Sequence, residues 1–254
     1  MSEVGCKLTK DMTVLPSMCD GASRLSIPAC LDIFQNLATL HADNFDIGPA
    51  GMKRRNYFWV ITKIRLHIEE LPMMMDRIKA NTWIQAADRA SCERDFSITT
   101  EDGKVLAYGR SIWAVISHDT GKLIHMDELY PKLDFNVAPP DDRPFLKIGR
   151  KFNEEDPEVS TLGTYTVRSV DIDLGGHMNN VNYVRAMLGC FSSEELSEMN
   201  ISEVELNYIS QTYEGDEIKF KCRKPDEAHS AEDINLEIGA VYEEGKTVFI
   251  AALS

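Results

Sequence analysis

The sequence predicts an α+β fold built twice, each copy an antiparallel β-sheet around one long central helix. Three observations predict it. Each half opens with a single stretch of helical period and continues with runs of strand character. Consecutive runs are joined by acidic glycine turns of the hairpin kind, "EDGK" and "HDTGK" in the first half, "YEGDE" and "YEEGK" in the second. Between the halves, "YPKLDFNVAPPDDRPFLKIGRKFNEEDPEVST" (Tyr130 to Thr161) has proline pairs and charge runs but no sustained period, and reads as a linker. At 254 residues the chain suits two domains of about 100 to 150 residues. The expected division is a first domain at 1–135, a linker at 136–160 and a second domain at 161–254.

In the first half, "MTVLPSM" reads as a short strand. Ile27, Cys30, Leu31, Phe34, Leu37 and Ala38 then recur at helical spacing up to His41, enough for about four turns. "NYFWVITKIRLHIEEL", "DRIKANTWIQAAD" and the long run from Ala90 to Ile124 are β-branched, aromatic and alternating, as strands are. "GMKRRN" (Gly51 to Asn56) reads as a solvated basic loop. In the second half, "GTYTVRSVDID" is a strand, and Val181, Val184, Met187 and Leu188 mark a helix with Asn179 and Asn180 as caps. "EVELNYISQTYEGDEIKFKC" and "INLEIGAVYEEGKTVFIAALS" repeat the strand pattern.

A net charge of -14 and a pI of about 4.9 argue against general attraction to nucleic acid or anionic lipid, because phosphate binding needs a basic face. The N-terminal residues have neither an apolar core segment nor a basic flank, and no apolar run is long enough to span a bilayer, so a cytoplasmic protein is expected. Six scattered cysteines without a CxxC pair, and no histidine at ligand spacing, imply reduced thiols and no metal or other cofactor.

The chemistry gathers in "DIDLGGHMNNVNYVRAML" (Asp171 to Leu188). Near the N-terminus "CDGASRLSIPACLDIFQNLATLHAD" has the same layout of acid, small residues and amphipathic helix, without the histidine. The strand, "DxDxxxHxNN" and helix segment resembles the hotdog-fold thioesterases. With "GASRLSIPACLDIFQNLATLHADN", "NYFWVITKIRLHIEELPMMMDRIKANTWI" and "CERDFSITTEDGKVLAYGRSIWAVI" matching a first hotdog, and Thr161 to Ser254 a second, nearly the whole chain resembles the acyl-ACP thioesterases of bacteria and plant plastids. The resemblance implies two fused hotdog domains, the first shaping an acyl-chain cavity and the second carrying the catalytic groups. It also implies hydrolysis of the thioester between a fatty acyl chain and acyl carrier protein.

The family's loop runs Asp, one residue, Asn, one residue, His. Its Asp falls on Asp173 and its His on His177, while Gly175 stands at the Asn position. The acid and cysteine that follow a strand tyrosine in the family fall on Gln211 and Thr212, after Tyr208. Single-domain acyl-CoA thioesterases with "DTDxxGHVNN"-like loops also lack the Asn and use the corresponding Asp. The resemblance thus implies Asp173 and His177 as catalytic groups; Gln211 cannot serve as a base, but its amide can orient water or bind the carbonyl oxygen, the other reading being a plain strand residue.

A thioester needs a nucleophile or base and donors for the developing oxyanion; its thiolate, with a pKa near 8.5, leaves easily. Gly175 and Gly176 let backbone approach a ligand closely. The first-turn amides after Asn179 and Asn180 point at whatever lies in front, and Thr212 is expected to support the loop. Read alone, Asp173 is equally a turn anchor and His177 a structural histidine. Lys53, Arg54 and Arg55 form the densest basic stretch of an acidic chain, suited to guide an acidic carrier protein. An acyl-CoA thioesterase, or a module that binds acyl chains or the carrier without hydrolysis, are the alternatives. A monomer and a homodimer both fit two hotdogs fused on one chain.

Overall fold

The computed structural model describes residues 7–129, 145, 150–223 and 235–254. Its contacts divide the chain into two compact units, Met1–Arg143 and Pro144–Ser254. Cys6, most of the expected linker and residues 224–234 lie outside the described residues.

In the first unit, strand β1 (Lys7–Thr13) leads through a 3-10 turn at Pro16–Met18 into helix α1 (Ile27–Asp43). Helix α2 (Pro49–Arg55) follows, then β2 (Tyr57–Ile68), β3 (Arg77–Ala87), β4 (Cys92–Thr100), β5 (Val105–Ser117) and the short β6 (Leu123–Ile124). The main strands lie in the order β1, β3, β4, β5, β2, all antiparallel, with β6 on β5. The strand expected over "MTVLPSM" ends earlier than its apolar character suggests. Pro16 has no amide to give a ladder, and the chain turns there instead.

Ser26 caps α1 by accepting the Ala29 amide, and Pro28 sits in the first turn, where its missing N–H costs nothing. The buried face of α1 includes Cys30, Leu31, Phe34, Leu37 and Ala38. Phe34 stacks on Phe96 of β4 at 4.6 Å between centroids. Both rings are fully buried, worth about 1.5 to 3 kcal/mol each.

The second unit repeats the plan: β7 (Ser160–Thr166), a 3-10 turn at Ser169–Asp171, helices α3 (Asn180–Leu188) and α4 (Ser193–Glu198), then β8 (Glu203–Tyr208), β9 (Glu217–Arg223), β10 (Leu236–Val241) and β11 (Thr247–Leu253). Its sheet order is β8, β11, β10, β9, β7, again antiparallel. Tyr183 of α3 stacks on Phe249 of β11 at 5.4 Å and meets Tyr208 of β8 edge-on at 5.9 Å, so the helix sits on the sheet through aromatic contacts.

Two helices go beyond the sequence reading, and one of them overturns it. "GMKRRN" is not a loop: most of it forms α2, which ends at Asn56 in the left-handed conformation (φ 58°). Helix α4 carries a capping box in which Ser192 and Glu195 satisfy each other's amides. Both helices are too short for a helical period to register.

Among the described residues no helix is long and apolar enough to cross a membrane. Cys19, Cys30, Cys92, Cys190 and Cys222 are free thiols.

Candidate active site

The site is built around the turn between β7 and α3. Asp171 is buried, and its carboxylate accepts the Tyr165 hydroxyl and the Arg168 amide, each at 2.8 Å. Its carbonyl accepts the Asn179 amide at 2.8 Å and Asn182 Nδ2 at 3.2 Å, tying the approach to the turn onto the start of the helix. Ile172 and Met178 then pair, and Asp173 to His177 form the loop between them. The Asp173 amide donates to the His177 carbonyl at 2.9 Å, the Gly176 amide to the Asp173 carbonyl at 3.1 Å, and the Gly175 amide to Asp173 Oδ1 at 2.7 Å. Gly176 closes the turn at φ 79°, where a side chain would be strained.

Asp173 and His177 come together at Gly175. A Cβ at Gly175 would lie 3.1 Å from Asp173 Oδ1 and 3.2 Å from His177 Nδ1, tighter than ordinary contact, so glycine at this position lets carboxylate and imidazole close in on one side of the turn. Asp173 is solvent-exposed and His177 half-buried. The amides of Gly175, Gly176 and Asn179 are engaged within the turn and its flanks, and that of Met178 with the Thr212 carbonyl. Among the described residues, those of Leu174 and His177 donate no hydrogen bond.

Gln211 and Thr212 arrive from the corner after β8. The Met178 amide donates to the Thr212 carbonyl at 2.9 Å, so this corner is stitched to the turn directly after His177. The Thr212 side chain is fully buried and bonded to the Tyr183 hydroxyl at 2.8 Å, which gives it a supporting place beneath the turn. Burial pushes the Tyr183 phenol up to about 12, with the Asp216 and Asp173 charges acting in the same direction and Thr212 against it, so the phenol stays protonated at neutral pH. Gln211 is half-buried, and its carbonyl lies 3.4 Å from the Tyr242 hydroxyl. Of the two asparagines, Asn179 is the cap, accepting the Val181 amide at 2.9 Å; the Asn180 carbonyl instead accepts the Tyr208 hydroxyl at 3.0 Å.

The first unit holds the same turn without the imidazole. The Ala22 amide donates to Asp20 Oδ1 at 2.9 Å, the Asp20 amide to the Arg24 carbonyl at 2.7 Å, and the Ser23 amide to the Asp20 carbonyl at 3.1 Å. Cys19 pairs with Leu25, and the Leu25 amide donates to the Pro72 carbonyl at 2.8 Å. Ser23, at φ 62°, stands where Gly176 stands.

Lys53, Arg54 and Arg55 belong to α2. Arg54 bonds to the Asp46 carboxylate, and Arg55 reaches both that carboxylate at 3.1 Å and the Asp46 carbonyl at 2.7 Å. Hydrogen bonds from Arg55 and Arg54 hold the Asp46 carboxyl below its usual range. Lys53 is exposed and, among the described residues, makes no ion pair. Asp171, Tyr183, Tyr213 and Asp216 are parts of the site assembly that sequence reasoning did not single out. The D-x-D pattern signals Asp171, whereas nothing local in the sequence marks the other three.

The model of the acyl-ACP thioesterase N-terminal domain matches residues 5–132, and that of the C-terminal domain matches residues 154–251. The chain belongs to the acyl-ACP thioesterase family. Among acyl-ACP thioesterase relatives, a chloroplastic acyl-[acyl-carrier-protein] hydrolase of Cuphea viscosissima is 26% identical over 193 residues, covering 72% of this chain and 46% of the relative. A chloroplastic oleoyl-acyl carrier protein thioesterase of Arabidopsis thaliana is 24% identical over 206 residues, covering 75% of this chain and 56% of that one. The chain thus spans about half the length of the curated relatives it matches. A solved acyl-ACP thioesterase from Bacteroides thetaiotaomicron superposes with TM-score 0.81 at 24% identity, covering 100% of this chain and 99% of that one. A 12:0-ACP thioesterase from Umbellularia californica does so with TM-score 0.80 at 19% identity, covering 98% and 94%. These structures share the fold, two hotdog domains on one chain.

Proposed function

We propose that this chain hydrolyses the thioester of a fatty acyl chain carried on acyl carrier protein, releasing the free fatty acid and the carrier's thiol. The functional domains run 1–135 and 161–254, joined by 136–160, with the acyl cavity in the first and the reacting groups in the second. The observation that carries this reading is that Asp173 Oδ1 and His177 Nδ1 both close in on Gly175, at 3.1 and 3.2 Å from the place a Cβ there would take. A carboxylate and an imidazole held on one side of an exposed turn suit activation of water, or direct attack by the carboxylate, at a carbonyl carbon. The amides of Leu174 and His177 remain to serve the developing oxyanion, a donor of that kind being worth about 2.7 to 4 kcal/mol. The Gln211 amide orients the water or the carbonyl from the neighbouring corner, and the α2 cations, Lys53 foremost, guide the acidic carrier.

The test is hydrolysis of acyl-ACP and the matched acyl-CoA across a series of chain lengths. The expected result is a higher kcat/KM for acyl-ACP. Equal or better use of CoA at matched chain length supports the acyl-CoA reading instead, and hydrolysis of neither supports a binding module.

A further inference from the structure

We propose that Tyr213 is a positioning residue for His177, holding the imidazole in the orientation that faces Asp173 across Gly175. The proposal rests on the site reading above and adds a residue to it. The two rings meet at 5.2 Å between centroids with planes at 64°, a T-shaped contact. Among the described residues the imidazole makes no hydrogen bond, so its orientation rests on packing. The ring torsion of histidine is soft and roughly two-fold, so a ring without a partner samples both faces.

Tyr213 is itself held. Its amide donates to Asp216 Oδ2 at 2.9 Å, its carbonyl accepts the Asp216 amide at 3.0 Å, and the Tyr242 hydroxyl donates to the same carboxylate oxygen at 2.6 Å. The residue before Tyr213 is bonded to the residue after His177, Thr212 carbonyl to Met178 amide, which fixes the two rings as neighbours.

The first unit supplies an internal control. Its corner is built the same way: the Met73 amide donates to Asp76 Oδ2 at 2.8 Å, the Asp76 amide to the Met73 carbonyl at 3.0 Å, and Arg24 pairs with Met73. The copy that lacks the imidazole also lacks the aromatic ring. Tyr213 is 51% exposed, so a place in the core does not account for it.

The experiment compares wild type with Tyr213→Ala and Tyr213→Phe by steady-state kinetics on acyl-ACP and by nitrogen NMR of the His177 imidazole in the unliganded protein. For Tyr213→Ala the expected result is a kcat lower by about tenfold with KM nearly unchanged, together with altered His177 ring signals; Tyr213→Phe restores both, because the ring and not the hydroxyl makes the contact. Wild-type ring signals in folded Tyr213→Ala overturn the positioning role whatever the turnover. His177→Ala separates the two readings: full turnover there removes His177 from the chemistry, and with it any catalytic use of Tyr213.

Discussion

Asp20 and Arg24 pair across their turn, Oδ2 to Nη2 at 3.0 Å, at the place where Asp173 and His177 flank Gly175. The two turns share three amide hydrogen bonds and differ in the side chains and in one amide: that of Arg24 donates to Asp20 Oδ1 at 2.9 Å, whereas that of His177 donates to nothing among the described residues. A guanidinium is always protonated and cannot exchange a proton at neutral pH, whereas an imidazole can. The first copy keeps the turn as scaffold and the second carries the groups able to do chemistry.

The shared turn predicts a shared cost. Asp20→Ala and Asp173→Ala each remove a carboxylate that accepts the amide two residues on, and each is expected to lower stability by about 0.5 to 2 kcal/mol. Only Asp173→Ala is expected to lower turnover per folded molecule. Denaturant unfolding and kinetics on the same preparations check both halves of the prediction.

Gln211→Ala is expected to lower kcat with little change in melting temperature, because the residue is half-buried and its backbone contact with Tyr242 survives the substitution. Gln211→Glu keeps the shape and adds a charge near the carboxylates, and is expected to retain activity. Unchanged kcat in the alanine variant assigns Gln211 to structure.

The α2 cations are expected to act unequally. Arg54 and Arg55 are engaged with Asp46, while Lys53 is exposed and unpaired among the described residues. Lys53→Glu is therefore expected to slow acyl-ACP turnover at low ionic strength, with the effect fading as salt rises, while a small thioester substrate is turned over as before. Equal slowing on both substrates contradicts a docking role.

The second unit is expected to weaken in alkali. Burial raises the phenols of Tyr165, Tyr183, Tyr208 and Tyr242 above 10.0, with Asp171 adding to the rise for Tyr165 and Asp216 for Tyr242. A pKa raised on folding contributes stability that is present below the unfolded value and is lost as pH climbs through the folded one. Stability should hold up to about pH 10 and fall above it, with the tyrosinate absorbance of these residues appearing only as the unit unfolds. Full ionisation in the still-folded protein contradicts this.

The sequence made the architecture legible because a 17-residue helix with a wide apolar face and strands broken by glycine turns leave strong periodic signals. Helices of six or seven residues such as α2 and α4 are fixed by caps and local pairs, so their periodicity was invisible. Asp173, Gly175 and His177 were legible because one short turn holds all three. Tyr213 and Asp216 were not, because what brings them to the turn is the Thr212 to Met178 hydrogen bond, a long-range pairing with no local sequence mark. The Arg54 and Arg55 pairing with Asp46 was hidden for the same reason: a run of cations shows its charge and not its partner.

The most direct test is the turnover of acyl-ACP by pure, folded Asp173→Asn. The amide keeps the size of the carboxylate and an oxygen to accept the Gly175 amide, so the turn should persist and stability should stay close to wild type. It cannot take a proton from water or attack a thioester effectively, so kcat is expected to fall by about a hundredfold or more. Comparable turnover in Asp173→Asn and wild type would contradict the account and leave Asp173 as a turn anchor alone.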